Sequence, residues 1–250
     1  MALAIVDADS IYFRAAMANR KTKEIRTMID TVMLEIEGQC LAEAMKVAVK
    51  GKDNFRHLVY PKYKANRPKL DEKVRDALNY GHDYMKTKWD GVQADGMEAD
   101  DLVSIWAYEA RELEIPYVIC GIDKDLKQIP GNHYNYNKKV HEFIDDDNAN
   151  YNLMVQCLTG DNSDNIPGLK GIGPAKAAKI LAGVPQARRW SRIRAAWRAH
   201  RSGSPDITLR LLSMLKSWDE LNDIRTQFSS QTSECEQDVQ PKGEDNIQVS

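Results

Sequence analysis

The sequence predicts an α/β protein with a mostly parallel sheet flanked by helices, followed by an all-helical region. Two apolar runs, ALAIVD at 2–7 and IPYVICGID at 115–123, each end on an aspartate, as buried parallel strands do. Segments with helical spacing of apolar residues separate these runs, and this alternation favours helices on both faces of a sheet. From about residue 151 the chain shows helical patterns alone.

The first half of the chain supplies the other elements of this layer. Apolar residues recur at helical spacing over 10–20 and 27–44, and MKVAVKG at 45–51 predicts a second strand. Apolar and aromatic residues again follow helical spacing over 72–89. These segments complete the predicted alternation of strands and helices.

The edge of the predicted sheet carries acids. A further helix is expected from Asp95, a suitable N-cap, to about Leu113, directly before the strand at 115–123. Ligands of parallel sheets bind outside the carboxyl ends of the strands, where Asp7 and Asp123 are expected. That edge is therefore the expected place of a functional site.

The C-terminal region is predicted to be helical around a glycine turn at 171–173. The next helix covers 175–181, and 186–205 holds six arginines and no acid. Another helix is expected over 206–228. The stretch 229–250 is polar and without periodicity, which predicts a disordered tail.

Composition limits the class of protein. A chain of 250 residues with 42% hydrophobic and 29% charged residues suits one large soluble domain, or one domain with a small appendage. The net charge is −2, so a nucleic-acid partner would need local basic patches. The four cysteines lack CxxC spacing, and no apolar run reaches transmembrane length. These features predict a cytoplasmic protein without a membrane partner.

Acidic residues fall into four short clusters. Each cluster lies where a parallel sheet or the start of a helix could present it, and carboxylates suit Mg²⁺ or Mn²⁺. The clusters hold Asp7 with Asp9, then Glu98, Asp100 and Asp101, then Asp123 and Asp125, and last Asp161 and Asp164. So many acids in one pocket would repel one another without cations, which predicts a metal site.

Two further segments favour a nucleic-acid backbone as partner. In the segment 50–75, lysines and arginines outnumber acidic residues, and aromatic residues are interleaved among them. This composition is typical of nucleic-acid binding. The last acidic cluster runs into IPGLKGIGPAKAAKIL, a glycine-rich turn at a helix start whose N–H groups can bind phosphate. The arginine-rich helix at 188–201 is either a duplex contact or an ordinary exposed face.

These motifs together resemble the 5′-nuclease family. The resemblance rests on LAIVDADSIYFRA, NFRHLVYPKYKANRP, GMEADDLVSIWA, GIDKDLKQI and LTGDNSDNIPGLKGIGPAKAAKIL, which span residues 3–181 in family order. The family includes flap endonucleases, phage 5′–3′ exonucleases and the 5′-nuclease domain of bacterial DNA polymerase I. The short chain is most similar to the phage exonuclease branch.

The resemblance implies a fold and its domains. It implies a PIN-like, mostly parallel sheet flanked by helices over 1–155, with a helical arch at about 55–90. A C-terminal all-α helix–three-turn–helix domain would cover 156–228. The activity implied is Mg²⁺-dependent 5′→3′ exonuclease and flap endonuclease hydrolysis of DNA, in replication, repair or recombination.

The resemblance also implies site residues and ligands. Two divalent ions, Mg²⁺ or Mn²⁺, would be held by Asp7, Glu98, Asp100, Asp101, Asp123, Asp125, Asp161 and Asp164. Lys64, Arg67 and Arg14 would act near the cleaved phosphate, with Arg56, Lys64 and Arg67 at the base of the arch. Gly168, Lys170, Gly171, Gly173 and Lys176 would grip duplex DNA, with K⁺ bound at their hairpin.

The implied partners are nucleic acids. They are DNA with 5′ ends, flaps, nicks or gaps, and RNA–DNA hybrids as a further substrate class. Replication proteins would be protein partners, and the chain would act as a monomer.

One departure from the family pattern concerns the second strand. The family commonly has an aspartate closing that strand, whereas this chain has Val49, Lys50 and Gly51 there, and Asp53 lies too far along. The first metal would then have fewer direct protein ligands. This departure leaves open a non-catalytic DNA-junction binder lacking a full metal site. A haloacid-dehalogenase-type phosphatase is a second alternative, because VDAD resembles its nucleophile motif and GDNSDN its acidic fourth motif.

Overall fold

A six-stranded sheet organises the N-terminal part of the chain. The computed structural model describes residues 2–18 and 21–237, with side chains to residue 227. The strands are β1 (Ala2–Asp7), β2 (Ala42–Lys50), β3 (Val92–Ala94), β4 (Tyr117–Cys120), β5 (Gly131–Asn135) and β6 (Val140–Ile144). Their order is β3-β2-β1-β4-β5-β6, and every neighbouring pair is parallel except β5 with β6. The α/β fold with a mostly parallel sheet is therefore confirmed.

Helices cover both faces of this sheet and form a separate group at the C-terminal side. The helices are α1 (Asp9–Ala18), α2 (Thr22–Cys40), α3 (Arg56–Val59), α4 (Glu72–Lys88), α5 (Ala99–Glu112), α6 (Asp146–Thr159), α7 (Pro174–Leu181), α8 (Gln186–Ala199), α9 (Pro205–Leu212) and α10 (Trp218–Gln237). A 3₁₀ turn covers Asp125–Gln128. None of the described helices is long and apolar enough to cross a membrane.

Alternation along the central strands divides the core between the two faces. Val47 and Val49 of β2 pack with α1, α2 and α4, whereas Ala48 between them faces the core formed with α5 and α10. A third core joins α6, α7, α8 and α9, and Tyr63 from the segment before α4 is buried in it. Tyr63 thereby ties the basic segment to the C-terminal helices.

Several predicted boundaries are wrong. The helix expected to reach residue 44 ends at Cys40, because Leu41 takes a left-handed conformation with φ of 48° and β2 starts at once. The N-cap of α5 is Glu98 and not Asp95, since β3 ends at Ala94 and Gly96 turns the chain with φ of 80°. The predicted end of the first helix at 19–20 lies outside the described residues.

In the second half of the chain one hairpin was not predicted, and two helices were predicted as a single helix. The hairpin of β5 and β6 was missed because β6 is a mostly exposed edge strand with polar residues. The single helix expected over 206–228 is divided into α9 and α10 by residues 213–217. The backbone of those residues bonds to other elements, since the Ser213 carbonyl accepts from Arg56 and the Leu215 N–H donates to Asp101 of α5, which prevents a continuous helix.

The tail and the domain boundary also differ in part from expectation. Residues 229–237 of the tail expected to be disordered continue α10, because this segment contains no glycine or proline to end a helix. The rest of the tail lies outside the described residues. The predicted boundary at 155/156 falls inside α6, and α10 returns to pack on the sheet through Leu221 and Ile224.

Candidate metal and nucleic-acid site

The carboxyl ends of β1 and β4 bring two acidic clusters together. β1 ends at Asp7 and its neighbour β4 ends at Cys120, three residues before Asp123. Gly121 permits the close approach of this loop, since a Cβ there would lie 3.5 Å from the Asp7 Cβ and 2.2 Å from Leu126. The predicted edge of the sheet is therefore where these acids lie.

The start of α5 adds the second cluster. The Asp101 carboxylate accepts the Glu98 backbone N–H at 3.0 Å, and Asp100 accepts the Asp101 N–H at 3.0 Å. Acids at this position suit the positive end of a helix dipole. The helix start thus fixes Glu98 and Asp100 next to the sheet edge.

The fourth cluster lies in a tight loop between α6 and the glycine hairpin. Asp161 accepts the N–H groups of Ser163 at 2.7 Å and Asp164 at 3.2 Å. Gly160 has φ of 67°, and a Cβ on it would lie 2.4 Å from the backbone nitrogen of Gly168. Only glycines allow this contact, so the acids and the hairpin are joined at a fixed distance.

A small cavity gathers most of the predicted acids. Its lining includes Glu98, Asp100, Asp125, Asp161 and Asp164. Asp7 and Asp123 lie beside it, since Asp7 interacts electrostatically with Asp100 and Asp123 with both Asp7 and Asp125. Within the described residues no three acids are arranged to hold an ion as they stand. Binding would therefore require side-chain movement.

Three of these acids form no ion pair within 4 Å with a described basic side chain, although Arg56 acts on Asp100 and Lys124 on Asp125 from a greater distance. Burial, followed by repulsion from Asp9 and Asp123, raises the pKa of Asp7 to about 8. Burial, then Glu98 and Asp101, raises the pKa of Asp100 well above its usual value. Burial and then Asp123 raise the pKa of Asp125 to about 6. Such carboxylates are costly to ionise without a cation.

The other acids of the cavity are held by basic side chains. Lys64 is bonded to Glu98 and lies 3.6 Å from Asp164, which Arg67 contacts at 2.6 Å. Lys124 Nζ lies 3.1 Å from the second oxygen of Asp161.

These contacts lower two carboxyl pKa values. Burial opposes the change in both cases. Arg56 and Lys64 nevertheless lower the pKa of Glu98, and Ser163 and Lys124 lower that of Asp161.

Asp101 and Arg56 form a buried ion pair beside the cavity. Both are buried, and Arg56 binds both oxygens of Asp101 while also donating to the Leu211 carbonyl at 2.8 Å. Asp101 further accepts the Leu215 N–H at 3.1 Å. Asp101 and Arg56 stay predicted site residues, but their charged groups are joined to each other here, so a metal ion or a phosphate would have to compete with that ion pair.

The base of the predicted arch is fastened to the acidic loop. The Lys64 N–H donates to the Asp164 carbonyl at 2.9 Å, with Lys64 itself at φ of 56°. The Tyr63 hydroxyl donates to Glu98 at 2.7 Å and to Asp164 at 3.0 Å. Lys64 and Arg67 are consequently held at the cavity, as expected.

Arg14 lies near the same edge but outside the cavity. It is on α1, one turn after Ser10, whose hydroxyl is 3.4 Å from Asp7 and 2.5 Å from the Tyr136 hydroxyl. Its charge acts on Tyr136. Arg14 thus lies near the acidic edge of the sheet without contacting its acids.

The predicted hairpin turns at glycines and leads directly into α7. Gly171 has φ of 76°, and Gly173 is the N-cap of α7 with Pro174 at its first position. Lys170 is exposed, and Lys176 donates to the Gly171 carbonyl at 2.8 Å. Gly168 packs against the backbone of Thr159, where a Cβ on Gly168 would lie 2.2 Å from the Thr159 carbonyl carbon. Gly168 therefore shapes the turn, and contacts to a ligand would have to come from its neighbours.

Sequence reasoning missed the roles of Tyr63 and Lys124. Tyr63 was noted only as one of several aromatics, yet its hydroxyl joins two acids of the cavity. Lys124 stands between Asp123 and Asp125 in the sequence. That position was a signal, since a lysine flanked by two site acids cannot lie far from the cavity.

Comparisons with known proteins agree with this geometry. A family model described as 5′-3′ exonuclease, N-terminal resolvase-like domain, matches residues 2–153. DNA polymerase I of Rhizobium leguminosarum is 31% identical over 137 residues, which cover 51% of this chain and 14% of that protein. The 5′-3′ exonuclease of Mycoplasma genitalium is 27% identical over 210 residues, 71% of this chain and 70% of the relative.

A solved structure shares the fold. The flap endonuclease of bacteriophage T5, in a pseudo-enzyme-product complex with DNA and metal ions, has a TM-score of 0.65 and 18% identity. The match covers 92% of this chain and 98% of that one. At this identity the likeness concerns the fold.

Proposed function

Because the family model spans well over half of its residues, this chain belongs to the 5′-3′ exonuclease family, and we propose that it hydrolyses DNA phosphodiester bonds at 5′ ends and flaps. The observation that carries the proposal is the cavity where Glu98, Asp100, Asp125, Asp161 and Asp164 meet. The T5 relative of the same fold is described with DNA and metal ions, which supports both ligands.

The acids of the cavity fit divalent ions. They offer hard oxygen ligands, and Asp7, Asp100 and Asp125 repel neighbouring acids without forming an ion pair with a described basic side chain, so a cation would relieve their repulsion. We assign two ions, Mg²⁺ or Mn²⁺, to Asp7, Glu98, Asp100, Asp123, Asp125, Asp161 and Asp164. When bound, such ions activate water and stabilise the leaving oxygen. Asp101 stays a predicted ligand, for which an ion would have to compete with Arg56.

Lys64 and Arg67 would bind the phosphate to be cleaved. Their charged groups lie at the rim of the cavity on Glu98 and Asp164, where a phosphate would compete for them. A positive group in this position stabilises negative charge that develops on the phosphate oxygens. Arg14, on the exposed side of the same edge, would position the cleaved strand.

The glycine hairpin would bind duplex DNA at a distance from the phosphodiester bond that is cleaved. Lys170 and Lys176 give the turn at Gly171 and Gly173 a positive charge at the start of α7, and Gly168 sets its distance from the acids. We propose that this region is a helix–three-turn–helix module that takes K⁺ at its carbonyls. The catalytic and binding domains would divide near residue 155.

Other parts of the proposal concern biology. A role in replication, repair or recombination, RNA–DNA hybrids as substrates, replication proteins as partners, action as a monomer and a cytoplasmic location stay predictions. The phosphatase alternative has no support from the family match. The non-catalytic binder is separated from the nuclease by the experiment that follows.

The test is cleavage of 5′-labelled flap, nicked and blunt duplexes. With Mg²⁺ we expect short products from the 5′ end and from the flap junction, and with EDTA none. Binding measured on the same substrates without Mg²⁺ gives the control for DNA affinity. Binding without cleavage in either Mg²⁺ or Mn²⁺ would contradict the proposal and favour the junction binder.

A further inference from the structure

The end of β2 lacks the carboxylate that the family pattern places there. Val49 is fully buried in the core with α1, α2 and α4, and Gly51 lies against the backbone of Ala94. Asp53, the next acid along the chain, is exposed with φ of 59°. No acid of β2 or its following loop therefore reaches the cavity.

A carboxylate from the neighbouring strand lies on this position. Asp7 pairs with Ala48 in the parallel register of β1 and β2, so Asp9 lies beside Lys50. One oxygen of Asp9 accepts the Lys50 backbone N–H at 2.7 Å and the Tyr12 hydroxyl at 2.6 Å. The register of β1 on β2 and the start of α1 directly after β1 thus bring this acid to the end of β2.

Asp9 does not serve as an ordinary cap of its helix. It is the first residue of α1, but the N–H groups of Ile11 and Tyr12 bond to the Ala8 carbonyl. The second oxygen of Asp9 accepts no hydrogen bond from the described residues. Asp9 also lies close enough to Asp7 and Glu98 for their charges to interact. The Asp9 backbone N–H also donates to Asp7 at 3.2 Å, so Asp9 lies directly beside the acid that ends β1.

We propose that Asp9 replaces the carboxylate missing from the second strand and supplies it to the divalent-metal site beside Asp7. This inference rests on the proposed function. Tyr12 and the Lys50 N–H hold one oxygen, which orients the carboxylate and leaves the other for the ion. In this arrangement the ligand set is complete, although its sequence order differs from the family pattern.

The test measures Mn²⁺ binding by titration calorimetry, without DNA, in Asp9→Asn. Asparagine keeps an oxygen for Lys50 and Tyr12 but removes the charge, so a purely structural role would leave Mn²⁺ affinity unchanged. We expect the tighter site to weaken by roughly 10-fold or more. Asp53→Asn, which removes the exposed acid of the same loop, should bind Mn²⁺ as the wild type does.

A second variant keeps the test decisive if Asp9→Asn does not fold. Tyr12→Phe leaves the carboxylate but removes the hydroxyl that orients it, and we expect Mn²⁺ binding to weaken by roughly 2- to 10-fold, less than on losing the carboxylate. For each variant the Mn²⁺-induced rise in melting temperature is compared with its own value in EDTA. Unchanged Mn²⁺ affinity in Asp9→Asn, or in Tyr12→Phe where only that variant folds, would overturn the inference.

The same experiment separates this inference from the proposed function. If the wild type binds no Mn²⁺, or if Asp125→Ala binds it normally, the metal site itself is wrong. If the wild type binds Mn²⁺ and Asp125→Ala does not, while Asp9→Asn is unchanged, only the role of Asp9 is wrong.

Discussion

The acid cavity has two halves that differ in how their charge is balanced. The paired half consists of Glu98, Asp161 and Asp164, which contact Lys64, Arg67 and Lys124. The unpaired half consists of Asp7, Asp100 and Asp125, which make no ion pair with a described basic side chain. The chain therefore supplies its own cations on one side and leaves the other side to an external cation.

This difference teaches what an entering ion has to do. In the unpaired half an ion removes repulsion and replaces protons, so its binding is favoured by the fold. In the paired half an ion has to displace a lysine or an arginine, and the displaced group becomes available to a phosphate. The two halves are thus expected to differ in metal affinity and in their response to mutation.

Removing an acid of the unpaired half should have the largest effect. We expect Asp125→Ala to abolish cleavage, a loss of roughly 10³-fold or more, because an ion contributes several kcal/mol of charge stabilisation. Binding to duplex DNA should change little. The measurement is single-turnover cleavage of a labelled flap, with Asp219→Ala on α10 as the control. Wild-type turnover in Asp125→Ala would show that the metal assignment is wrong.

A smaller loss is expected from the basic side of the paired half. Lys64→Ala should lower turnover by roughly 10²–10³-fold, as for the loss of one preorganised group that stabilises developing charge. The measurement compares turnover and KM for the flap with those of Lys62→Ala, which removes an exposed lysine two residues away. An equal loss in both variants would mean that Lys64 contributes only general positive charge.

The unpaired half should also make metal binding depend on pH. The pKa of Asp7 is raised to about 8 and that of Asp125 to about 6, so both hold protons that an ion has to displace. Metal affinity should therefore rise about tenfold per pH unit between pH 6 and 8, where of these two only Asp7 holds a proton, and more steeply below pH 6, where Asp125 holds one as well. Mn²⁺ titrations at several pH values measure the slope. An affinity independent of pH would show that these acids are already ionised.

Stability without metal should change in the opposite direction. A carboxyl whose pKa is raised in the folded state does not lower the free energy of unfolding at a pH below its usual pKa, near 4. It lowers that free energy increasingly as pH rises toward 8. The melting temperature in EDTA should consequently fall as pH rises through this range, and Mg²⁺ should reduce the fall. Asp7→Asn should flatten the dependence in EDTA.

Much of this site was predictable from sequence, but the division into halves was not. Strand ends and helix starts are local patterns, so the positions of Asp7, Glu98 and Asp123 follow from apolar runs and their flanking acids. The pairing of Arg56 with Asp101 depends on residues 211–215 folding back on α5, which joins segments more than a hundred residues apart. The contact of Asp9 with Lys50 depends on strand register. Local periodicity contains neither fact.

Lys124 gives the smallest and most specific test of the two halves. Its side chain is 71% exposed and pairs with the buried Asp161. Lys124 therefore occupies one Asp161 oxygen that an ion could bind, while this ion pair adds little to the stability of the fold. An exposed pair of this kind contributes about 0.2–1 kcal/mol, and Lys124→Ala should thus tighten Mn²⁺ binding there by only about 1.4- to 5-fold. Lys127→Ala, which breaks the nearby exposed pair with Glu142, should leave the affinity unchanged. Weaker Mn²⁺ binding in Lys124→Ala would contradict competition, because removing a lysine that competes with the ion can only increase the affinity for the ion.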